Sequence, residues 1–116
     1  MKRQAASSLP ADQKILIGRP ASMLDGSTLN VLRRIAYEVP GCIEAHLPQV
    51  FVLGAMPASK MALTLVIDGL QDPQQITQQL NDEIARSLPA SSIDTWLLIP
   101  SDSILTSVRS ARCALL

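Results

Sequence analysis

Two segments of the chain carry apolar residues at helical spacing. In the first segment, Leu29, Leu32 and Ala36 recur after the turn-forming residues at 25–27. In the second, the apolar residues follow one another at steps of four, namely Ile76, Leu80, Ile84 and Leu88. Polar residues occupy the opposite side of both segments, which is the pattern of an amphipathic helix. The sequence therefore predicts two helices.

Capping and terminating residues mark the ends of these two helices. Asp25 precedes the first helix, and Asp72 with Pro73 precedes the second. An Asp side chain can accept hydrogen bonds from the free amides of a first turn, and proline is harmless at the first helical position. Pro40 and Pro89 supply the stops. We therefore expect both Asp side chains to cap their helices.

Short apolar runs outside the helices predict strands. The predicted strands are 15–17, 43–47, 50–53, 61–68 and 96–99. In strand 43–47, Glu44 and His46 alternate with apolar residues, which is the period of a strand with one buried face, and Pro48 interrupts it. In strand 61–68, three residues are predicted to share one face, namely Leu63, Leu65 and Ile67. The loop 54–60 between the third and fourth strands is typical of a hairpin.

A third, short helix is predicted near the end of the chain. Ser101 and Asp102 are of the residue types that cap a helix start, and Leu105 and Val108 then fall on one side. Arg112 lies in the predicted last turn, where a cation interacts favourably with the helix dipole. We expect this helix to pack its apolar side on the rest of the domain.

The order of these elements predicts the fold class. They read strand, helix, two strands, helix, strand, helix, which fits an α+β fold. We expect a βαββαβ-like two-layer sandwich, with a mainly antiparallel sheet, helices on one face, and the short C-terminal helix in addition. Residues 1–12 are small and polar and predict a flexible N-terminal tail, so the single domain is assigned to residues 13–116.

Composition and charge narrow the classes of partner. The chain has 116 residues, of which 47% are hydrophobic and 17% are charged, which suits one folded domain. Ten Lys and Arg balance ten Asp and Glu, so no net field attracts nucleic acid or anionic lipid. No apolar run approaches the ~20 residues of a membrane-spanning helix, and no secretory signal pattern begins the chain. We expect a cytoplasmic protein with neither nucleic-acid nor membrane partners.

Framework residues between Ile15 and Val108 follow a further pattern. The positions are Gly18, Pro20, Leu29, Leu32, Pro40, Ile43, Ala45, Leu47, the run Leu63 to Gly69, Leu88, Pro89, Ile93, Asp94 and the run Asp102 to Val108. This pattern resembles the C-terminal domain of the SseB, or enhanced serine sensitivity, proteins. The resemblance implies a bacterial cytoplasmic protein named for a growth phenotype in serine, without a settled biochemical activity and without catalytic residues to carry over. Full-length relatives carry another domain before this one, so the chain is either a free-standing version or a fragment.

Few residues in the sequence are candidates for catalysis or metal binding. His46 is the one candidate base for a Ser, His and Asp triad, and its place beside Glu44 on a polar strand face favours a solvated or cross-strand hydrogen-bonding role. Cys42 and Cys113 lack the CxxC spacing of a zinc site or a redox dithiol. Cys113 has Arg112 beside it, the only hint of a reactive thiolate, but both cysteines are expected to be ordinary thiols.

Two loops have superficial similarity to ligand sites. The loop 54–60 lacks the GK[ST] order of a phosphate loop, and Pro57 removes an amide donor. Asp68, Gly69 and Asp72 are better explained as turn and cap residues than as metal ligands, because an EF-hand spreads its oxygen ligands over a twelve-residue loop. We therefore expect no catalytic residues, no cofactor and no metal site, and hence a protein that is not an enzyme.

The leading hypothesis from the sequence is a non-enzymatic module for protein interaction or self-association, with a protein partner or a homo-oligomer. The alternative is a regulatory domain that binds a small molecule, such as the amino acid serine. This alternative rests on βαββαβ folds that hold amino acids at subunit boundaries and on the serine phenotype of the similar family.

Overall fold

A computed structural model describes residues 15–20, 24–89 and 92–115. The elements in chain order are β1 Ile15–Gly18, α1 Gly26–Tyr37, β2 Cys42–His46, β3 Gln49–Val52, β4 Lys60–Ile67, α2 Pro73–Ser87, β5 Asp94–Leu98 and α3 Leu105–Ser110. The predicted α+β fold with a mainly antiparallel sheet is confirmed. The predicted tail 1–12 lies outside the described residues, as do the first two residues and the last residue of the predicted domain.

Strand β4 is the centre of the sheet. It pairs antiparallel with β2 and β3 along one edge and parallel with β5 along the other, and β1 pairs antiparallel with the outer edge of β3. Leu63, Leu65 and Ile67 belong to the core on one face, as predicted, and Ala62 and Val66 belong to the core on the other. Burial on both faces explains why the sequence of β4 is almost continuously apolar.

Strands β2 and β3 behave as one long strand with an interruption at Pro48. Both pair with β4 in the same register, in which His46 lies opposite Thr64. The carbonyl of Pro48 accepts a hydrogen bond from the amide of Ala62 at 3.0 Å. Proline has no amide to donate in return. The buried hydroxyl of Thr64 donates to the Ala62 carbonyl at 3.1 Å instead.

Two segments share the outer edge of this long strand. Strand β1 pairs with β3, and the segment 113–115 pairs with β2. In the second pairing, Leu47 donates its amide to the carbonyl of Cys113 at 2.9 Å. Both segments run antiparallel to β2 and β3, so the end of β1 and the start of the segment 113–115 meet opposite Pro48. We call this meeting point the outer-strand junction.

Helices cover both faces of the sheet. The two long helices, α1 and α2, pack on one face, where Leu32 and Leu80 belong to the core with Leu65 of β4. The short helix α3 packs on the opposite face, where Leu105 and Val108 belong to the second core. We call these the helix-pair face and the α3 face.

The first two helix starts differ in how they are capped. Asp25 caps α1, as predicted, because its carboxylate accepts the amide of Thr28 at 2.8 Å. The prediction for α2 is half right. Pro73 occupies the first helical position, but the side chain of Asp72 makes no capping bond. Asp72 has φ 49° and ψ 58°, a left-handed conformation, whereas a capping side chain requires extended backbone at that position.

The predicted cap of the third helix is wrong. Helix α3 begins at Leu105, its N-cap residue is Ile104, and no side chain caps it. Asp102 takes part in a turn before the helix, in which its amide donates to the carbonyl of Ile99 at 3.0 Å. The carboxylate of Asp102 accepts the amide of Ile99 at 3.4 Å, and it is the backbone carbonyl of Asp102, not its side chain, that accepts the amide of Leu105 at 3.1 Å.

Candidate functional site

A polar cluster joins β2 to α3 on the α3 face. The carboxylate of Glu44 accepts hydrogen bonds from Nε of Arg109, at 3.0 Å, and from Nη2 of the same guanidinium. Nε2 of His46 lies 2.9 Å from Oε1 of Glu44. Two-pronged contacts between arginine and carboxylate are stronger and more directional than single ones. Glu44 therefore orients His46 and ties α3 to the sheet.

The same contacts set the charge of Glu44. Hydrogen bonds from Arg109 are the main cause that lowers the pKa of this carboxyl to about 2; burial opposes the shift, and His46 adds to it. A carboxyl that acts as a general acid near neutral pH needs a raised pKa. Glu44 is ionised throughout the neutral range and serves as a fixed anion in this cluster.

His46 is not solvated, so that part of the sequence prediction is wrong. Its side chain is only 7% exposed, because α3 covers the face that the alternation of β2 marked as polar. Its hydrogen bond also runs along β2 rather than across strands. The other ring nitrogen, Nδ1, is buried and has no hydrogen-bond partner in the part of the chain that the structure describes. Within that part, no hydroxyl or thiol bonds to the imidazole as a triad nucleophile would.

The two cysteines lie in environments that disfavour thiolates. Burial raises the pKa of the Cys42 thiol, which donates to the carbonyl of Glu44 at 3.2 Å. Burial also raises the pKa of Cys113, which is only 4% exposed. The cation whose charge acts on Cys113 is Arg19, at the outer-strand junction, and its lowering effect is smaller than that of burial. A reactive thiol needs a lowered pKa, and therefore positive charge whose effect exceeds that of burial.

The loop after β3 takes the structural role that was expected of it, whereas the loop after β4 does so only in part, because Gly69 forms the turn but the side chain of Asp72 does not cap α2. The loop after β3 is a hairpin turn, in which Val52 accepts the amides of Ala55 and Met56 at its carbonyl. Gly69 turns the chain after β4 with φ +70°. Nowhere in residues 15–20, 24–89 and 92–115 do three His, Cys, Asp or Glu side chains gather so as to hold a metal ion.

Two features concern the expectation of neither membrane nor nucleic-acid partners, namely the length of the helices and the arginines on the surface of α1. Across the described ranges, every helix falls short of the length and apolar character that a membrane crossing requires. Arg33 and Arg34 are exposed on α1. Arg33 also donates to the carbonyl of Leu115 at 3.0 Å, which ties α1 to the segment 113–115.

The β1 end of the sheet carries exposed apolar side chains. Two of the four exposed large hydrophobic residues in the described chain lie there, Leu16 at 47% and Leu53 at 44%. Leu16 lies directly opposite Phe51, on the helix-pair face. The main contacts of α1 and α2 with the sheet are to β2 and β5, so the two helices leave this end of the face uncovered in the described part of the chain.

Two adjoining depressions continue from this apolar end. One, of about 280 Å³, is lined by Leu16 and Phe51, and the other, of about 660 Å³, by Met61 and residues of α1 and α2 among others. Gln49 and Ser59 line both, and Gln49 donates to the Ser59 hydroxyl at 2.9 Å between them. The open surface therefore extends from the sheet edge toward the helices.

A basic cavity lies at the outer-strand junction, and no sequence pattern predicts it. Arg19 follows β1 directly, and Arg112 directly precedes the segment 113–115. Both line one cavity between β1 and α3. The sequence places Arg112 in a predicted helix end and beside Cys113, and no local pattern indicates that it meets Arg19, which lies far away in the chain.

Comparison of the chain with protein-family models, with curated proteins and with solved structures finds no match.

Proposed function

We propose that this chain is a protein-interaction module that associates with a second copy of itself through the outer edge of β1. The observation that supports the proposal is the combination of an open strand edge with exposed apolar side chains beside it. In the described residues, β1 pairs with β3 alone. Leu16, nearly half exposed, projects from the same strand.

Strand β1 lacks most of the features that protect an edge strand. Natural sheets keep free edges from pairing through very short strands, charged residues, proline or bulges. Strand β1, Ile15–Gly18, is four residues long, but none of them is charged or proline. The other edge strand, β5, begins with Asp94, which lies 4.0 Å from the ammonium of Lys60. The β1 edge is thus the edge better suited to strand addition.

A symmetric pairing of two β1 strands accounts for the exposed residues. With Leu16 opposite its counterpart, both leucines lie on the helix-pair face, at the ~4.5–5.5 Å Cβ separation of directly opposed residues. The pairing gives the backbone of β1 a second set of hydrogen bonds and covers Leu16 and Phe51. A formal net charge of zero adds no overall repulsion between two copies.

Light scattering after size exclusion tests this proposal. We expect the wild-type chain to elute at twice its own mass and Leu16→Lys to elute as a monomer with unchanged far-UV circular dichroism. Gln75→Lys, at an exposed position on α2, is the matched control and should stay dimeric. A wild-type chain that remains monomeric throughout a concentration series contradicts the proposal.

Disulfide trapping tests the register. Leu16→Cys should form an intermolecular disulfide under mild oxidation, whereas Gln75→Cys should not. The native thiols give little background, because Cys113 is buried and Cys42 is partly buried. Equal cross-linking of both variants would show that association does not use the β1 edge.

The second candidate function is a regulatory domain that binds a small molecule. The groove of about 660 Å³ supports it, because its size lies within the ~300–1,000 Å³ range of ligand pockets and it combines apolar residues with a few polar ones. Thermal unfolding with serine tests this candidate. A ligand at 100 times its dissociation constant stabilises a protein by ~2.7 kcal/mol, so an unchanged melting temperature at high serine concentration contradicts serine binding.

A further inference from the structure

The cavity at the outer-strand junction has the composition of an anion site. It has a volume of about 470 Å³ and lies between the end of β1 and α3. Its lining includes Arg19 and Arg112, the hydroxyl residues Thr106 and Ser107, and the apolar side chain of Ile17. None of the residues that line it is acidic.

The two arginines differ from the other cations that the structure describes. Each of the others has a hydrogen-bonding or ionic partner, namely Arg33, Arg34, Lys60, Arg86 and Arg109. Within the described ranges, the side chains of Arg19 and Arg112 make neither a hydrogen bond nor an ion pair. Two guanidinium groups without partners therefore line the same cavity.

The fold itself brings these two arginines together. They flank the outer-strand junction, because β1 ends one residue before Arg19 and the segment 113–115 begins one residue after Arg112. Arg112 has φ +55°, in the left-handed region that glycine favours just after a helix. An arginine at this position has a conformational cost that glycine would not have.

We propose that this cavity binds the phosphate group of a small phosphate monoester. Guanidinium groups match phosphate oxygens in two-pronged geometry, and two of them balance the charge of about −1.5 to −2 that a phosphate monoester carries at neutral pH. A phosphate has three terminal oxygens to share among two guanidinium groups and the hydroxyls of Thr106 and Ser107, whereas a carboxylate has two. Ile17 offers an apolar wall to the rest of the ligand.

Nuclear magnetic resonance titration of the full chain, which has a mass of 12.5 kDa, tests the site. The probes are glycerol 3-phosphate, inorganic phosphate, glycerate and glycerol. Both phosphate probes should shift the amide signals of Arg19, Ser107 and Arg112 in a saturable way, and glycerate should bind at least about tenfold more weakly. Absence of a saturable shift with phosphate, or equal binding of glycerate, overturns the proposal.

Two variants separate binding from folding. Arg112→Gly removes one guanidinium and relieves the left-handed strain, so the variant should be at least as stable as the wild type while its affinity for glycerol 3-phosphate falls about tenfold or more. Arg19→Gln should weaken binding to a similar extent. Arg86→Gln, on the exposed side of α2, is the control and should bind like the wild type. Unchanged affinity in Arg112→Gly overturns the proposal.

The phosphate site and the proposed self-association surface meet at the end of β1, where Ile17, Gly18 and Arg19 line both the cavity and the depression beside Leu16, but Leu16 itself does not line the cavity. Leu16 projects from the helix-pair face, whereas the cavity lies beside α3 on the opposite face. Leu16→Lys should therefore keep the affinity of the wild type for glycerol 3-phosphate. Loss of binding in this variant would contradict the placement of the site on the α3 face.

Discussion

At the scale of single residues, Glu44 carries the strongest electrostatic interaction at the sheet surface. Its carboxylate is contacted by Arg109 from α3 and by His46 from its own strand. Its folded pKa of about 2 lies below the ordinary value of 4.5. A depressed carboxyl pKa contributes stability above the unfolded value, and the contribution is lost as the pH falls through the folded value.

We therefore predict a pH-dependent effect of Glu44→Gln. Near pH 6 the substitution should lower the free energy of unfolding by about 1–2 kcal/mol, because charge-assisted bonds to Arg109 are lost. The difference from the wild type should shrink as the pH falls from 4.5 to about 2, where the wild-type carboxyl also becomes protonated. Urea unfolding followed by Trp96 fluorescence at several pH values measures this difference.

Glu38→Gln is the control for this experiment. Glu38 is 65% exposed and lies 3.9 Å from Arg34 in an ion pair along α1. Exposed pairs contribute ~0–1 kcal/mol, so the control should be nearly neutral at every pH. A pH-independent effect of Glu44→Gln would show that packing, and not the charge of Glu44, is responsible.

At the scale of elements, the interruption at Pro48 explains why Thr64 is buried at the centre of β4. Pro48 cannot donate to the carbonyl of Ala62, and the Thr64 hydroxyl takes that place. A hydroxyl with no partner would be costly in a position that is 0% exposed. The proline and the threonine thus form a matched pair across neighbouring strands.

Thr64→Val should lower the free energy of unfolding by about 1–3 kcal/mol, because it leaves the buried carbonyl of Ala62 without a donor. The same substitution made in Pro48→Ala should cost less, since alanine supplies the missing amide. Urea unfolding of the two single variants and the double variant gives the coupling energy between the positions. A coupling energy of zero would mean that the hydroxyl does not replace the ladder bond.

Elements with strong internal periodicity could be predicted from the sequence, whereas details that depend on distant segments could not. The predicted positions of α1, α2 and β4 are confirmed, since their apolar spacing alone defines a buried side. The burial of His46 was missed because the layer that covers it is α3, more than 50 residues later in the chain. The predicted cap at Asp72 is wrong because residue type does not reveal a left-handed backbone.

At the scale of the whole molecule, one sheet separates two apolar cores. Leu80 of α2 is 3% exposed on the helix-pair face, and Leu105 of α3 is 2% exposed on the α3 face. Because β4 contributes side chains to both cores, the two layers share their central strand. This arrangement favours a single cooperative unfolding unit.

Leu80→Ala and Leu105→Ala should each lower the free energy of unfolding by about 2–5 kcal/mol, the range for buried leucines. Far-UV circular dichroism and Trp96 fluorescence should report coincident transitions in both variants, although Trp96 lies in the α3-face core. Fluorescence that changes before circular dichroism in Leu105→Ala would show that the α3 layer unfolds separately.

The two proposed sites also depend on the arrangement of the whole molecule. The absence of a familiar catalytic motif in the sequence could be read directly, but the pairing of Arg19 with Arg112 depends on the segment 113–115 returning to the outer edge of β2. A contact between segments so far apart in the chain produces no periodic pattern in the residues that it brings together. The open edge of β1 likewise follows from topology, since Ile15–Gly18 carries no charged residue or proline that would mark it as an edge strand.

The split outer strand also has a dynamic consequence. Strand β1 and the segment 113–115 are held to β2 and β3 by separate sets of backbone bonds, and no covalent continuity links them at the junction. Each half can open locally while the other stays in place, so amide hydrogen exchange along this edge follows two opening free energies. A phosphate bound by both Arg19 and Arg112 links the two halves, so that their amides exchange through one common opening.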